Sequence, residues 1–198
     1  MRPFNNPFNT SVIESIPFVF LDKTNSLNSI LKTFEENNFK GAICGPQGSG
    51  KTVLMDEIQL RLKANGWVVK KNVFYQEDSF VFKTKKILAL CKNISKNEAV
   101  FIDGAEQLFY PLWLFAKWSI SNSAAAFLIT IHKPGRMPVI YQTRTCEKLL
   151  EKLLLEYPVE PIIDWNSFDL KQLFYKNNGN IREVFRALYD MTASIADK

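Results

Sequence analysis

Residues 45 to 52 read Gly45-Pro46-Gln47-Gly48-Ser49-Gly50-Lys51-Thr52, a full match to GxxxxGK[ST], and this segment dictates what must flank it. Glycines let the backbone curl so that successive N–H groups face inward, and a helix starting at the end of the loop adds its N-terminal partial positive charge at the same spot. The chain supplies the required neighbours. A short apolar run, Gly41 to Cys44, precedes the loop, and Val53 to Ala64 follows it with Leu54, Ile58 and Leu62 on one face. The spacing therefore predicts a nucleoside triphosphate cradled by Gly45, Pro46, Gln47, Gly48, Ser49 and Gly50. Lys51 is expected to reach the β- and γ-phosphates, and the Thr52 hydroxyl to ligate Mg²⁺.

The remaining pattern tells what fold carries this loop. Residues 1 to 20, rich in Asn, Pro and Phe, predict an irregular arm laid over a surface. Asp22 to Ser26 offers caps for a helix from about Ser26 to Asn37, with Leu27, Ile30, Leu31 and Phe34 at helical spacing. Asn65 and Gly66 end the helix after the loop, Trp67 to Phe74 reads as a strand, and a helix is predicted from about Ser79 to Cys91. Ala99 to Ile102 and Ala126 to Ile131 are continuous apolar runs, as parallel strands buried on both faces require, and Pro161 to Ile163 is a shorter third. After Asp164 the pattern is helical, about Ser167 to Lys176 and Asn180 to Ser194, broken at Asn177 to Gly179. Strands alternating with helices predict an α/β fold with a parallel sheet flanked by helices over residues 1–164, followed by a small C-terminal helical lid over 165–198. Ligands at such sheets bind beyond the carboxyl ends of the strands.

Asp103 closes the run Ala99-Val100-Phe101-Ile102 and delivers a carboxylate to that same end, where it is expected to hold Mg²⁺. A cap for the next helix is its alternative role. Glu106, three residues on, is the candidate for activating water, with a favourable interaction with the helix dipole as the bland alternative; Glu77 and Asp78 stand in reserve. His132 is the only histidine and has no nucleophile or metal-ligand pattern beside it, so a structural hydrogen-bonding role is expected.

Taken together, these motifs resemble P-loop ATPases of the AAA+ type over most of the chain, and so imply a P-loop NTPase fold with Mg-ATP as ligand. The resemblance makes Thr130 similar to the sensor 1 residue that contacts the γ-phosphate or its water. Gly179-Asn180-Ile181-Arg182-Glu183 resembles the sensor 2 segment, in which Arg182 would reach the γ-phosphate. Arg136 and Arg144 fall where a finger acting on a neighbouring subunit is found, or serve in surface ion pairs. By the same resemblance Pro17 to Leu21 would cover the adenine base, with core packing as the alternative. Two departures stand out: Gly104, not glutamate, follows Asp103, and the lid has fewer helices than the family pattern. The combination of Ile102-Asp103-Gly104-Ala105-Glu106-Gln107-Leu108 with the terminal segment is also similar to small bacterial P-loop proteins without an assigned role.

Composition narrows the remaining choices. At 198 residues and 46% hydrophobic content the chain can bury one ordinary core. Cys44, Cys91 and Cys146 are an odd number without CxxC spacing, which argues against a disulfide framework and a zinc site. No signal-peptide pattern opens the sequence and no run of about 18 apolar residues occurs, so no transmembrane segment and a cytoplasmic protein are expected. The charge of +5 suits solvated faces or a nucleic-acid partner, with Lys70, Lys71, Lys83, Lys85 and Lys86 as local concentrations. Leu108 to Ile120 is more apolar than one helix face needs; packing on the sheet is expected, with a protein partner or membrane-surface patch as the alternative. No guanine-reading NKxD is visible, which favours ATP. The expected function is an ATPase that uses Mg-ATP to drive a conformational change or assembly, with a homo-oligomer among the expected states. The alternatives are a small-molecule kinase and a non-hydrolysing switch or scaffold.

Overall fold

The computed structural model describes residues 16–22, 24–155 and 169–196. It opens on an extended arm without regular structure, then α1 (Leu27–Glu36), β1 (Lys40–Cys44), α2 (Lys51–Ala64), β2 (Val68–Val73), α3 (Phe80–Lys92) and β3 (Glu98–Asp103). A 3₁₀ turn (Ala105–Gln107) leads to α4 (Tyr110–Ser123), β4 (Ala126–Ile131), β5 (Val139–Gln142), α5 (Glu147–Leu155), α6 (Leu170–Lys176) and α7 (Ile181–Ala196). The five strands form one sheet in the order β2-β3-β4-β1-β5, and every pairing is parallel. This is an α/β architecture with helices on both faces of the sheet.

Alternation along the strands sends side chains to two cores. Ile43, Phe101, Leu128 and Ile140 pack with Ile30 and Phe34 of α1 and with Leu54, Ile58 and Leu62 of α2. On the opposite face Ala42, Val100, Ile102, Phe127 and Ile129 pack with Ile87 of α3 and with Leu112, Trp113, Ala116 and Ile120 of α4. A third apolar cluster joins α5, α6 and α7 through Leu149, Leu150, Leu154, Phe174, Val184, Phe185 and Leu188, with Ile16 of the arm among them. The helical part of the molecule thus takes in α5 as well as the two helices after residue 169. Caps agree with the local sequence: Ser26 and Ser29 form a reciprocal capping box on α1, and Ser79 caps α3.

The strand at Val139–Gln142 and the helix at Glu147–Leu155 are not among the elements expected from the sequence, while the expected strand at Pro161 to Ile163 lies outside the described residues. β5 is an edge strand on which only Ile140 is buried, so it lacks the continuous apolar run that marks β3 and β4. The lysine concentrations are mostly engaged internally. Lys70 pairs with Glu98 at 2.8 Å and Lys71 with Asp56 at 2.6 Å, while Lys83 and Lys86 donate to the backbone carbonyls of Gln76 and Val73. On α4, Leu112, Trp113, Ala116 and Ile120 are buried, but Tyr110, Leu114, Phe115 and Trp118 are exposed, beside exposed Phe80 and Phe82 of α3. Packing on the sheet therefore explains one side of that helix and leaves the other apolar and open. Among the described residues no helix is long and apolar enough to cross a membrane.

Candidate functional site

All the strand tips that carry polar residues point to one end of the sheet, because the pairing is parallel throughout. β1 runs into the glycine-rich loop, β3 ends on Asp103, β4 carries Thr130 next to its last residue, and Thr143 follows β5. The loop is built around two glycines in the left-handed region, Gly48 at φ 72° and Gly50 at φ 82°, the latter standing immediately before α2. Gly45 N donates to Ile131 O at 3.1 Å, which ties the loop's start to β4. Ser49 is 3% exposed, donating to Pro46 O and sharing a 2.6 Å bond with Thr143 Oγ1. Pro46 and Gln47 at the crest of the loop are exposed.

Lys51 lies inside this loop. Its ammonium donates to Gly45 O at 2.8 Å and Pro46 O at 2.7 Å, and burial pushes its pKa below the ordinary lysine value, with the charges of Glu106 and Asp103 opposing that shift. Thr52 Oγ1 donates to Asp103 Oδ2 at 2.8 Å, and Thr130 Oγ1 donates to Asp103 Oδ1 at 2.5 Å. Thr130 in turn accepts from Gly104 N at 2.8 Å. Asp103 therefore holds a hydroxyl on each oxygen and does not cap the following turn, which begins at Gly104 (φ 75°) without a side-chain cap. Thr130, expected by resemblance to meet a γ-phosphate, is 1% exposed and is engaged with Asp103 and the Gly104 backbone.

Thr52 and Asp103 fit Mg²⁺. They bring a hydroxyl and a carboxylate, both hard oxygen donors, to one point, and Mg²⁺ takes few protein ligands when phosphates and waters supply the rest. Among the described residues no group of three or more His, Cys, Asp or Glu side chains is arranged to hold a metal ion.

Glu106 sits in the first turn of a short 3₁₀ helix, the helical turn its spacing suggested. Its negative charge, like that of Asp103, acts on Lys51. Its Oε1 is 3.3 Å from His132 Nδ1, and its Oε2 is buried without a hydrogen-bond partner. Arg136 is half-buried rather than on the surface. It donates through Nη2 to Leu108 O at 2.8 Å and Glu106 O at 3.5 Å, with its guanidinium 5.1 Å from the Trp113 ring centroid. Arg144 is exposed.

Two pieces approach the loop from outside the sheet. Asn180 caps α7, its Oδ1 accepting from Arg182 N and Glu183 N, and a methyl group at Gly48 would overlap that same oxygen. Arg182 follows on the first turn of α7, with an exposed side chain whose charge acts on Lys51. From the arm, Phe18 lies against Gly50 and makes edge-to-face contacts with Phe20 and Tyr141, and its N–H donates to Glu57 Oε1 at 2.5 Å. Glu77 and Asp78, the reserve carboxylates, precede α3; Asp78 accepts from Tyr75 N. A concavity of about 490 Å³ lies beside β5, lined by Asp22, Asn25, Tyr141 and Arg144.

Sequence reasoning missed Thr143 and the pairing of His132 with Glu106. The contacts of Thr143 with Ser49 and of His132 with Glu106 span 94 and 26 positions and become visible only once strand order is known. No protein-family model matches the chain, and no curated protein matches it.

Proposed function

We propose that the protein binds Mg-ATP at the loop from Gly45 to Thr52 and hydrolyses it, with the cycle driving a conformational change or assembly as in the AAA+ type of P-loop ATPase. The observation that carries this reading is a single constellation. Lys51 is held inside a loop with two left-handed glycines at a helix start, beside the chain Thr52–Asp103–Thr130 at the neighbouring strand tips.

In this reading Lys51 exchanges its bonds to the Gly45 and Pro46 carbonyls for oxygens of the β- and γ-phosphates, and the loop amides and the start of α2 supply the remaining donors. Thr52 and Asp103 would hold Mg²⁺, which would supply positive charge to offset the negative charge that develops on the phosphate oxygens. Thr130 acts through Asp103 by fixing its carboxylate. Glu106 orients water and takes its proton as the water oxygen bonds to the γ-phosphorus. The bond from that phosphorus to the bridging oxygen breaks, and ADP and phosphate leave. Arg182, on α7 next to the loop contact of Asn180, meets the γ-phosphate and links its presence to the position of the helical cluster.

Lys51→Ala is expected to abolish binding of Mg-ATP in calorimetry, and unchanged affinity would remove the proposal. A non-hydrolysing switch is the second reading, favoured by Gly104 standing directly after Asp103. Multiple-turnover phosphate release by the wild type separates the two.

A further inference from the structure

We infer that His132 is a positioning residue for Glu106, its ring standing 3.3 Å from one carboxylate oxygen and so limiting where the side chain can turn the other. The inference rests on the reading of Glu106 as the group that activates water for ATP hydrolysis. It says what makes a carboxylate at that displaced position usable.

Glu106 stands three residues beyond Asp103, on a turn that begins with a left-handed glycine, so its side chain leaves the backbone from a place the strand does not fix. A glutamate free to rotate about its side-chain bonds loses rotamer entropy on being held in one geometry. The loop after β4 supplies that hold from one side. Arg136 donates to the backbone carbonyls of Leu108 and Glu106, its guanidinium rests over Trp113, and Lys117 in turn donates to Arg136 O at 3.0 Å. With the backbone of the turn thus fixed, His132 Nδ1 lies 3.3 Å from Glu106 Oε1.

The other oxygen, Oε2, is the informative one. A buried carboxylate oxygen without a hydrogen-bond partner is costly, and here it belongs to a carboxylate whose charge acts on Lys51. An acceptor left unused within the protein is free to take a hydrogen bond from a water that enters as the site opens to nucleotide. The charge of Glu106 acts on Lys51 of α2, on Cys44 of β1 and on Arg136 in the loop of His132 itself. None of these contacts takes up Oε2. His132 moves no proton to or from the nucleotide in this scheme; it restricts where Glu106 can point.

Three single variants, one double variant and a spectroscopic readout test this. Glu106→Gln is expected to lower kcat by about 100-fold or more, as loss of a general base does. His132→Ala should lower kcat by about 10-fold, the cost of a misplaced base, with KM for Mg-ATP within about 2-fold of wild type. His132→Asn, which restores a donor near the same place, should recover part of that loss. In the Glu106→Gln background, His132→Ala should cost nothing further, because the two act as one unit. Since His132 is the only histidine, its ring signals are identified in the NMR spectrum without assignment, and they should move on Glu106→Gln in the absence of nucleotide. Full turnover by His132→Ala, an equal loss in both backgrounds, or ring signals indifferent to Glu106→Gln would each overturn the inference while leaving the proposed ATPase intact. A wild type that binds Mg-ATP but releases no phosphate would overturn both.

Discussion

At the strand tips Lys51, Asp103 and Thr130 are at most 8% exposed and are bonded to the loop, to Thr52 and to the turn after β3, whereas Phe18, Asn180 and Arg182 reach the same place from outside the sheet through isolated contacts. The first group is positioned by four parallel strands whose register leaves little freedom. The second hangs on an arm and on the start of one helix. This division assigns different work to the two halves. In the proposed function the groups that would meet phosphate and Mg²⁺ are those the sheet pre-organises, and Arg182, which would register a γ-phosphate, belongs to a unit with its own core around Val184, Phe185 and Leu188.

The sharpest way to break that division is at Gly48, where the halves meet. Its φ of 72° costs an alanine about 1–2 kcal/mol, and the added methyl would overlap Asn180 Oδ1. Gly48→Ala is expected to lower the melting temperature by about 2–8 °C. It should weaken Mg-ATP binding by about tenfold, roughly 1.4 kcal/mol. Differential scanning calorimetry and titration calorimetry check the two. Asn180→Ala, which leaves the loop conformation alone and removes only the cap of α7, should weaken binding less. Equal effects on affinity from both would mean that the loop depends on the helix as much as on its own backbone, and the contrast between the halves would fail.

A smaller effect is expected one turn into the helix. Arg182 is exposed and lies outside the bonded chain at the strand tips, so Arg182→Ala should leave the binding of Mg-ATP within about threefold and lower its turnover about tenfold. Phosphate release against nucleotide concentration measures both parameters. A loss of affinity without loss of turnover would move Arg182 into the first half of the site.

How far the sequence alone reached follows the same line. The loop, Asp103 and the strands Glu98–Asp103 and Ala126–Ile131 are legible because a strand buried on both faces must be apolar without interruption, and an abrupt polar residue at its end is then conspicuous. β5 is not legible on those terms: it is an edge, with one buried residue, behind the proline-flanked stretch Pro134 to Pro138. Helix α5 does carry helical spacing in Leu149, Leu150, Leu153 and Leu154, so its absence from the expected elements reflects no lack of signal. Contacts between strand tips are another matter. That Thr143 braces Ser49 depends on β5 lying beside β1, and that Arg136 turns inward onto the Glu106 and Leu108 carbonyls and His132 meets Glu106 depends on β4 lying beside β3, an order that residue spacing does not encode. The helical reading of Asn180 to Ser194 located the segment that touches the loop, but only the overlap at Gly48 reveals which residue makes the contact.

The gentlest probe addresses how the arm is fastened to the first half. Glu57 of α2 accepts the Phe18 N–H, and burial raises its pKa above the ordinary carboxylate value, with that hydrogen bond opposing the shift. The sign follows from proton counting. The unfolded chain releases the Glu57 proton in the usual carboxylate range, near pH 4.3, and the folded chain holds it to higher pH. Between the two values the folded state binds more protons, so stability falls as pH rises through that window and stays lowered at neutral pH. Glu57→Gln cannot ionise yet keeps an oxygen for the Phe18 N–H. It is therefore expected to melt about 1–2 °C above wild type at pH 7, with the difference closing as the pH is brought below about 4. Mg-ATP affinity should be unchanged, since Phe18 stays against Gly50. A lower melting temperature at pH 7, or a gap that does not close in acid, would mean that the charged form of Glu57 holds the arm, and that the arm is bonded into the loop as firmly as the strand tips are.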